Sequence, residues 1–188
     1  MILYLHGFLS APTSRKALSL RAYLAAHGQE DALWCEQLPV SPRAAMALLE
    51  KQIAGCATAP VLIGSSLGGY YATWLVERHG LKAVLVNPAV LAPLTLERHL
   101  GPQENLYTGE RFELTPTHLD ELRTFETARI TRPERYWLLV ETGDEVLDYR
   151  HAVAYYIGAR QTVLPGGDHR FSRWEKYLGE IVQFAGLG

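Results

Sequence analysis

The chain has 188 residues, a net charge of −2, and 48% apolar against 20% charged side chains, which is the balance of one folded domain with its own core. With a pI near 6.4, that balance excludes a broad basic footprint for nucleic acid and gives no electrostatic basis for stable membrane association. No apolar run is long enough to span a bilayer, the opening MILYLHGF lacks the basic start of a signal peptide, and Cys35 and Cys56 form no C-x-x-C pair, so two plain thiols and a cytoplasmic setting are expected.

Six short apolar runs are read as strands: ILYL at the start, ALWC near 32, VLI at 61–63, AVLV at 83–86, YWLLV at 136–140 and TVL at 162–164. None alternates with polar residues, which points to strands buried on both faces. Helical patterns lie between them. Residues 13–27 put Ala17, Leu20 and Leu24 on one face and stop at Gly28. Ser41-Pro42 reads as an N-cap followed by proline at the first helical position, and Gly55 closes that helix. Leu67, Tyr71, Trp74 and Leu75 share a face of the next helix, which Gly80 ends. The segment 101–135 breaks the rhythm with Pro102, Pro116, Pro133 and many charges; one helix near 117–128 and a lid-like or irregular insertion are expected there. Asp148 stands where a helix over 149–157 would take its N-cap, and Ser172 with Glu175 has capping-box spacing before the last helix. Strand–helix repetition of this kind gives a three-layer α/β/α sandwich on a mostly parallel sheet of about six strands, in one domain over 1–188.

The chemistry concentrates at IGSSLGGYYA, residues 63–72, where an apolar strand turns into a helix. A nucleophile elbow needs this context, and its strained bend needs small residues two positions either side of the serine. Ser66 has Gly64 and Gly68 there; Ser65 has Ile63 and Leu67. The pattern therefore selects Ser66 and leaves Ser65 as a small filler or a hydrogen bonder. The spacing fits neither dinucleotide-binding nor phosphate-cradling glycine loops.

A serine needs a base, and in such a fold the acid and then the histidine follow in loops after later strands. His169, in LPGGDHRFSRWE, follows the last apolar run and two glycines. His27, His79 and His99 fall late in helical patterns, and His118 and His151 fall early in them. The acid comes from ETGDEVLDYRHA: Asp144 is the first choice, Asp148 has the competing cap, and Glu145 is expected to face solvent. Asp168 adjoins His169 in sequence and suits loop support. The backbone N–H groups of Leu67 and Phe8 are the expected oxyanion donors, with Leu9 as the fallback for Phe8; Gly7 lets that loop approach, and His6 braces it.

HGF after the first strand, GSSLGG, GDEVLD and GDHRF, in this order, resemble the α/β-hydrolase superfamily, and their spacing looks like the small YqiA-like esterase family. VNPAV at 86–90 is similar as well. The resemblance runs over nearly the whole chain. It implies a minimal α/β-hydrolase fold and a serine esterase or thioesterase acting on small-molecule acyl esters, acyl-CoA among them, without cofactor or metal. The chain departs from the larger superfamily by starting on the strand that carries the oxyanion loop, and GDEVLD lacks the proline that often closes that motif. A hydrolase fold serving as a binding module, or a non-hydrolytic reaction such as perhydrolysis or a lyase step on the same scaffold, are the alternatives.

Overall fold

The computed structural model describes residues 1–187. Its centre is a six-stranded parallel sheet: β1 (Ile2–Leu5), β2 (Leu33–Trp34), β3 (Val61–Ser65), β4 (Lys82–Val86), β7 (Tyr136–Glu141) and β8 (Arg160–Leu164), in the order β2-β1-β3-β4-β7-β8. The switch in direction of strand order lies at β1 and β3, and the loops after both strands open on the carboxyl edge. Ligand crevices form at such a point.

The period-two geometry of strands explains the two cores. Leu3, Leu5, Leu62, Leu85, Leu138 and Val140 face one side. There they pack against helices α2 (Pro42–Gly55), α3 (Leu67–His79), α4 (Ala92–Glu97), α5 (Pro116–Arg123) and α6 (Tyr149–Tyr155). Ile2, Tyr4, Ile63, Val84, Val86, Trp137 and Leu139 face the other, against α1 (Arg15–Ala26) and α7 (Leu178–Phe184). Both faces are apolar because both are covered, which is why the central runs read without alternation.

The edges depart from expectation. β2 keeps only two residues of ALWC in register with β1. β8 is an edge strand and is only half-buried, not buried on both faces. The expected capping box at Ser172 is absent: a short 3-10 turn over Trp174–Tyr177 precedes α7, and the Ser172 hydroxyl donates instead to Glu141. The expected helix in the 101–135 segment is α5 and ends at Arg123; an antiparallel hairpin of β5 (Gly101–Glu104) and β6 (Arg111–Leu114) precedes it. Among the described residues no helix is long and apolar enough to cross a membrane.

Helix α3 presses on the sheet directly below its own first turn. A Cβ at Gly68 would collide with the Leu5 carbonyl, and one at Gly64 would strike the backbone of Gly68 and Gly69. Gly68→Ala is therefore expected to cost about 3 kcal/mol or more of stability. Gly55→Ala, where nothing lies within 4 Å, should stay within about 0.5 kcal/mol of wild type. Paired urea denaturation curves measure both.

Candidate functional site

Ser66 follows the last residue of β3 and precedes α3, with φ 54° and ψ −119°. For a residue with a Cβ this is a strained conformation, costing of order 1–3 kcal/mol. It is held from both ends: the Ser66 N–H donates to the Val86 carbonyl at 3.0 Å, and the Ser66 carbonyl accepts from Gly69 at 2.9 Å and Ala89 at 3.1 Å. Its hydroxyl is thereby turned out of the bend into the cleft at the carboxyl edge.

His169 lies in the loop between β8 and the 3-10 turn, with its Nε2 3.0 Å from Ser66 Oγ. Its Nδ1 is 2.8 Å from Asp144 Oδ2. An ionised carboxylate only accepts, so the Nδ1 proton points at Asp144 and leaves Nε2 free to accept from the serine. Asp144 stands in the turn after β7, and its side chain is 2% exposed. Its other oxygen accepts from the N–H groups of Val146 and Leu147, at 2.9 and 2.8 Å, which fixes the carboxylate plane. Asp148 caps α6 through the Arg150 N–H and holds the Arg150 guanidinium, whose hydrogen bonds pull its pKa down to about 2. It is thus committed elsewhere. Glu145 does not simply face solvent: its carboxylate accepts the backbone N–H of His169 at 3.0 Å, and that bond lowers its pKa.

Two supports were not assigned from the sequence. Glu141, the last residue of β7, has a fully buried side chain. It accepts from the Asp168 and Ser172 N–H groups at 2.9 Å each, from the Ser172 hydroxyl at 3.1 Å and from the Arg173 N–H at 3.3 Å. One carboxylate thus gathers the amides on both sides of His169. Asn87, at φ 41°, donates to the carbonyls of Asp168 and His169 at 3.1 and 3.0 Å and accepts from the Glu141 N–H at 3.1 Å. It ties the histidine loop to the ends of β4 and β7. The sequence signal was thin: an acidic residue ending an apolar run, and Asn-Pro, which also marks a plain turn.

The loop after β1 closes the other side. A Cβ at Gly7 would stand 3.0 Å from Ser66 Cβ, so the loop lies against the elbow. His6 is buried, which lowers its pKa; its Nε2 accepts from the Leu38 N–H at 3.0 Å, and its Nδ1–H donates to the Gly7 carbonyl at 2.9 Å. A neutral imidazole therefore braces the loop. Leu67 is the first residue of α3, where helix geometry gives its N–H no intrahelical acceptor. Phe8 packs its ring on Phe112 of β6 and on His99. Asn105, at the end of β5, donates to the Ser10 carbonyl at 2.9 Å, which docks the hairpin on the same loop.

Gly7, Phe8, Leu9 and Ser10 separate two hollows. One, of about 860 Å³ and partly open, holds Ser66 and His169. The other, of about 420 Å³, is walled by Leu38, Val40, Leu67, Tyr71 and Phe112. Among the described residues no cluster of three His, Cys, Asp or Glu side chains is arranged to hold a metal. Cys35 is buried, Cys56 is half-buried, and both are free thiols.

The model of the Uncharacterised protein family (UPF0227) matches residues 1–186. The chain belongs to this YqiA-like family, and its fold is that of the α/β hydrolases. Solved structures share its fold. The monoacylglycerol lipase of Paleococcus ferrophilus is 18% identical, with a TM-score of 0.71 over 100% of this chain and 94% of that one. The mouse alpha/beta hydrolase domain-containing protein 10 is 17% identical, with a TM-score of 0.68 over 97% and 88%. The esterase domain of a Rhodothermus marinus protein is 20% identical, with a TM-score of 0.61 over 96% and 83%.

Two supports give measurable outcomes. Glu141→Gln turns an acceptor into a donor facing donors and is expected to cost about 2–4 kcal/mol, read from urea denaturation. For His6, a folded pKa below the unfolded value means the unfolded chain binds the extra proton first. Stability is then full above about pH 6.5 and falls as pH drops through the folded pKa. His6→Phe should be less stable at pH 7.5 than wild type, with a shallower loss between pH 7.5 and 5.5.

Proposed function

We propose that the chain hydrolyses carboxylic esters or thioesters through an acyl-enzyme on Ser66. The observation that carries this reading is the single imidazole of His169, placed 3.0 Å from Ser66 Oγ and 2.8 Å from Asp144. A hydroxyl is a weak nucleophile, and this chain of hydrogen bonds is the arrangement that activates one.

Ser66 Oγ bonds to the acyl carbon while its proton passes to His169 Nε2. Asp144 holds the tautomer and stabilises the imidazolium. The carbonyl electron pair moves onto oxygen, and the N–H groups of Phe8 and Leu67 receive the resulting oxyanion. The bond from acyl carbon to the leaving oxygen or sulfur then breaks. The leaving atom keeps that electron pair and takes the proton from His169. Water, deprotonated by the same nitrogen, attacks the acyl-serine, and its collapse returns the proton to Ser66 and frees the acid. The positive end of α3 at Ser66 favours the charge that develops there.

Against p-nitrophenyl butyrate, Ser66→Ala should lower kcat by about 10⁴-fold or more, and Asp144→Asn by about 10³–10⁴-fold through the wrong tautomer. Asp148→Asn should retain turnover, because that carboxylate caps α6. Steady-state kinetics on folded variants decide it: turnover surviving in Ser66→Ala contradicts the mechanism, and equal losses at Asp144 and Asp148 contradict the choice of acid.

A further inference from the structure

Helix α1 begins on the wall of the Ser66 cleft. Its N-cap Ser14 makes no side-chain capping bond, so the first-turn amides lack both an intrahelical acceptor and a cap. Ser14 is 7% exposed and lines the cleft, and its Oγ is buried with no hydrogen-bond partner among the described residues. A buried hydroxyl left unpaired costs free energy, which a bound group would recover. The Tyr4 hydroxyl, kept neutral by burial, faces Ser14 and Ser65 but forms no well-made hydrogen bond with the Ser14 hydroxyl. Lys16 lies on the same wall and donates to the Arg170 carbonyl at 2.8 Å, which leaves two of its three N–H donors. Burial lowers its pKa to about 8 and Asp168 opposes that, so the ammonium is charged at neutral pH. Arg15, held by Glu175, and Arg170 complete the rim.

Resting on the hydrolase reading, we infer that this wall binds an anionic group, a carboxylate or a phosphate, carried by the leaving half of the substrate. The ligands are the Ser14 hydroxyl, the Lys16 ammonium and the free amides of α1, all of which favour negative charge. The side follows from the chemistry. The departing oxygen or sulfur takes its proton from His169, and His169 lines this cleft. The hollow across the Gly7–Ser10 loop touches neither Ser66 nor His169, and its largely apolar wall suits an acyl chain. The substrate class is therefore an acyl ester or thioester of an acid-bearing or phosphorylated alcohol or thiol.

Three butyrate esters test this: those of 4-hydroxybenzoate, of 4-hydroxyphenyl phosphate, and of neutral methyl 4-hydroxybenzoate. Comparing wild type with variant cancels their intrinsic reactivity. Lys16→Met should lower kcat/KM for an anionic ester relative to the neutral one by about tenfold, through KM, and Ser14→Ala by about threefold. The larger loss identifies carboxylate or phosphate as the group bound. An unchanged anionic-to-neutral ratio in both folded variants overturns the subsite. Calorimetry separates this from the hydrolase reading. Ser66→Ala should bind 4-hydroxybenzoate or 4-hydroxyphenyl phosphate, and should lose that binding when Lys16→Met is added. Anion binding lost in this way, without turnover of any ester, upholds the subsite and sinks the hydrolase reading alone. Binding of neither anion overturns the subsite.

Discussion

The backbone at Ser66 is the constraint on which the rest of the molecule depends. A serine at φ 54° resists its own conformation, and it stays there because the sheet and α3 meet too closely for any alternative. The Leu5 carbonyl lies where a side chain at Gly68 would go, and Gly68 and Gly69 lie where one at Gly64 would go. Hydrogen bonds from Gly69 and Ala89 then lock the Ser66 carbonyl. The strain is local, the restraint is distributed over β1, β3, β4 and α3, and the product is a hydroxyl projecting from a rigid base.

The histidine has the opposite problem. It sits on a loop, and loops move. Two buried polar side chains solve this. Glu141 gathers amides from Asp168, Ser172 and Arg173, and Asn87 binds the carbonyls of Asp168 and His169. Glu145 adds a third hold, on the His169 N–H itself. A loop with its donors and acceptors taken by strand ends behaves as an extension of the sheet, so the 3.0 Å approach to Ser66 is set before any substrate arrives. His6 does the same for the loop after β1, and Asn105 fastens the β5–β6 hairpin to that loop.

What the sequence discloses follows from what each residue must satisfy. The strands ILYL, VLI, AVLV and YWLLV are legible because both faces of the central sheet are covered, so nothing interrupts their apolar character. Ser66, rather than Ser65, is legible because the bend excludes side chains at two fixed positions. The hairpin at Gly101–Leu114 is not, because GPQE and RFEL are short, charged and only partly buried, and carry no apolar run. Ser172 misleads because its hydroxyl is consumed by a carboxylate 31 residues earlier, a pairing that only the fold creates. Glu141 and the loop-holding role of Asn87 escape for the same reason: each acts on a loop distant in sequence, and although the Asn-Pro turn places Asn87 at the border of the site, nothing local names its partners.

A covalent intermediate is the central chemical consequence of the proposed mechanism. The most direct measurement is the intact mass of the wild-type chain, acid-quenched during turnover of p-nitrophenyl butyrate, followed by peptide mapping of any adduct. The account predicts a mass gain of one butyryl group on the peptide spanning 63–72, at Ser66 and not Ser65, and its disappearance in Asp144→Asn quenched at the same time. An adduct on another residue, or sustained hydrolysis with the label on no residue at any quench time, would contradict it.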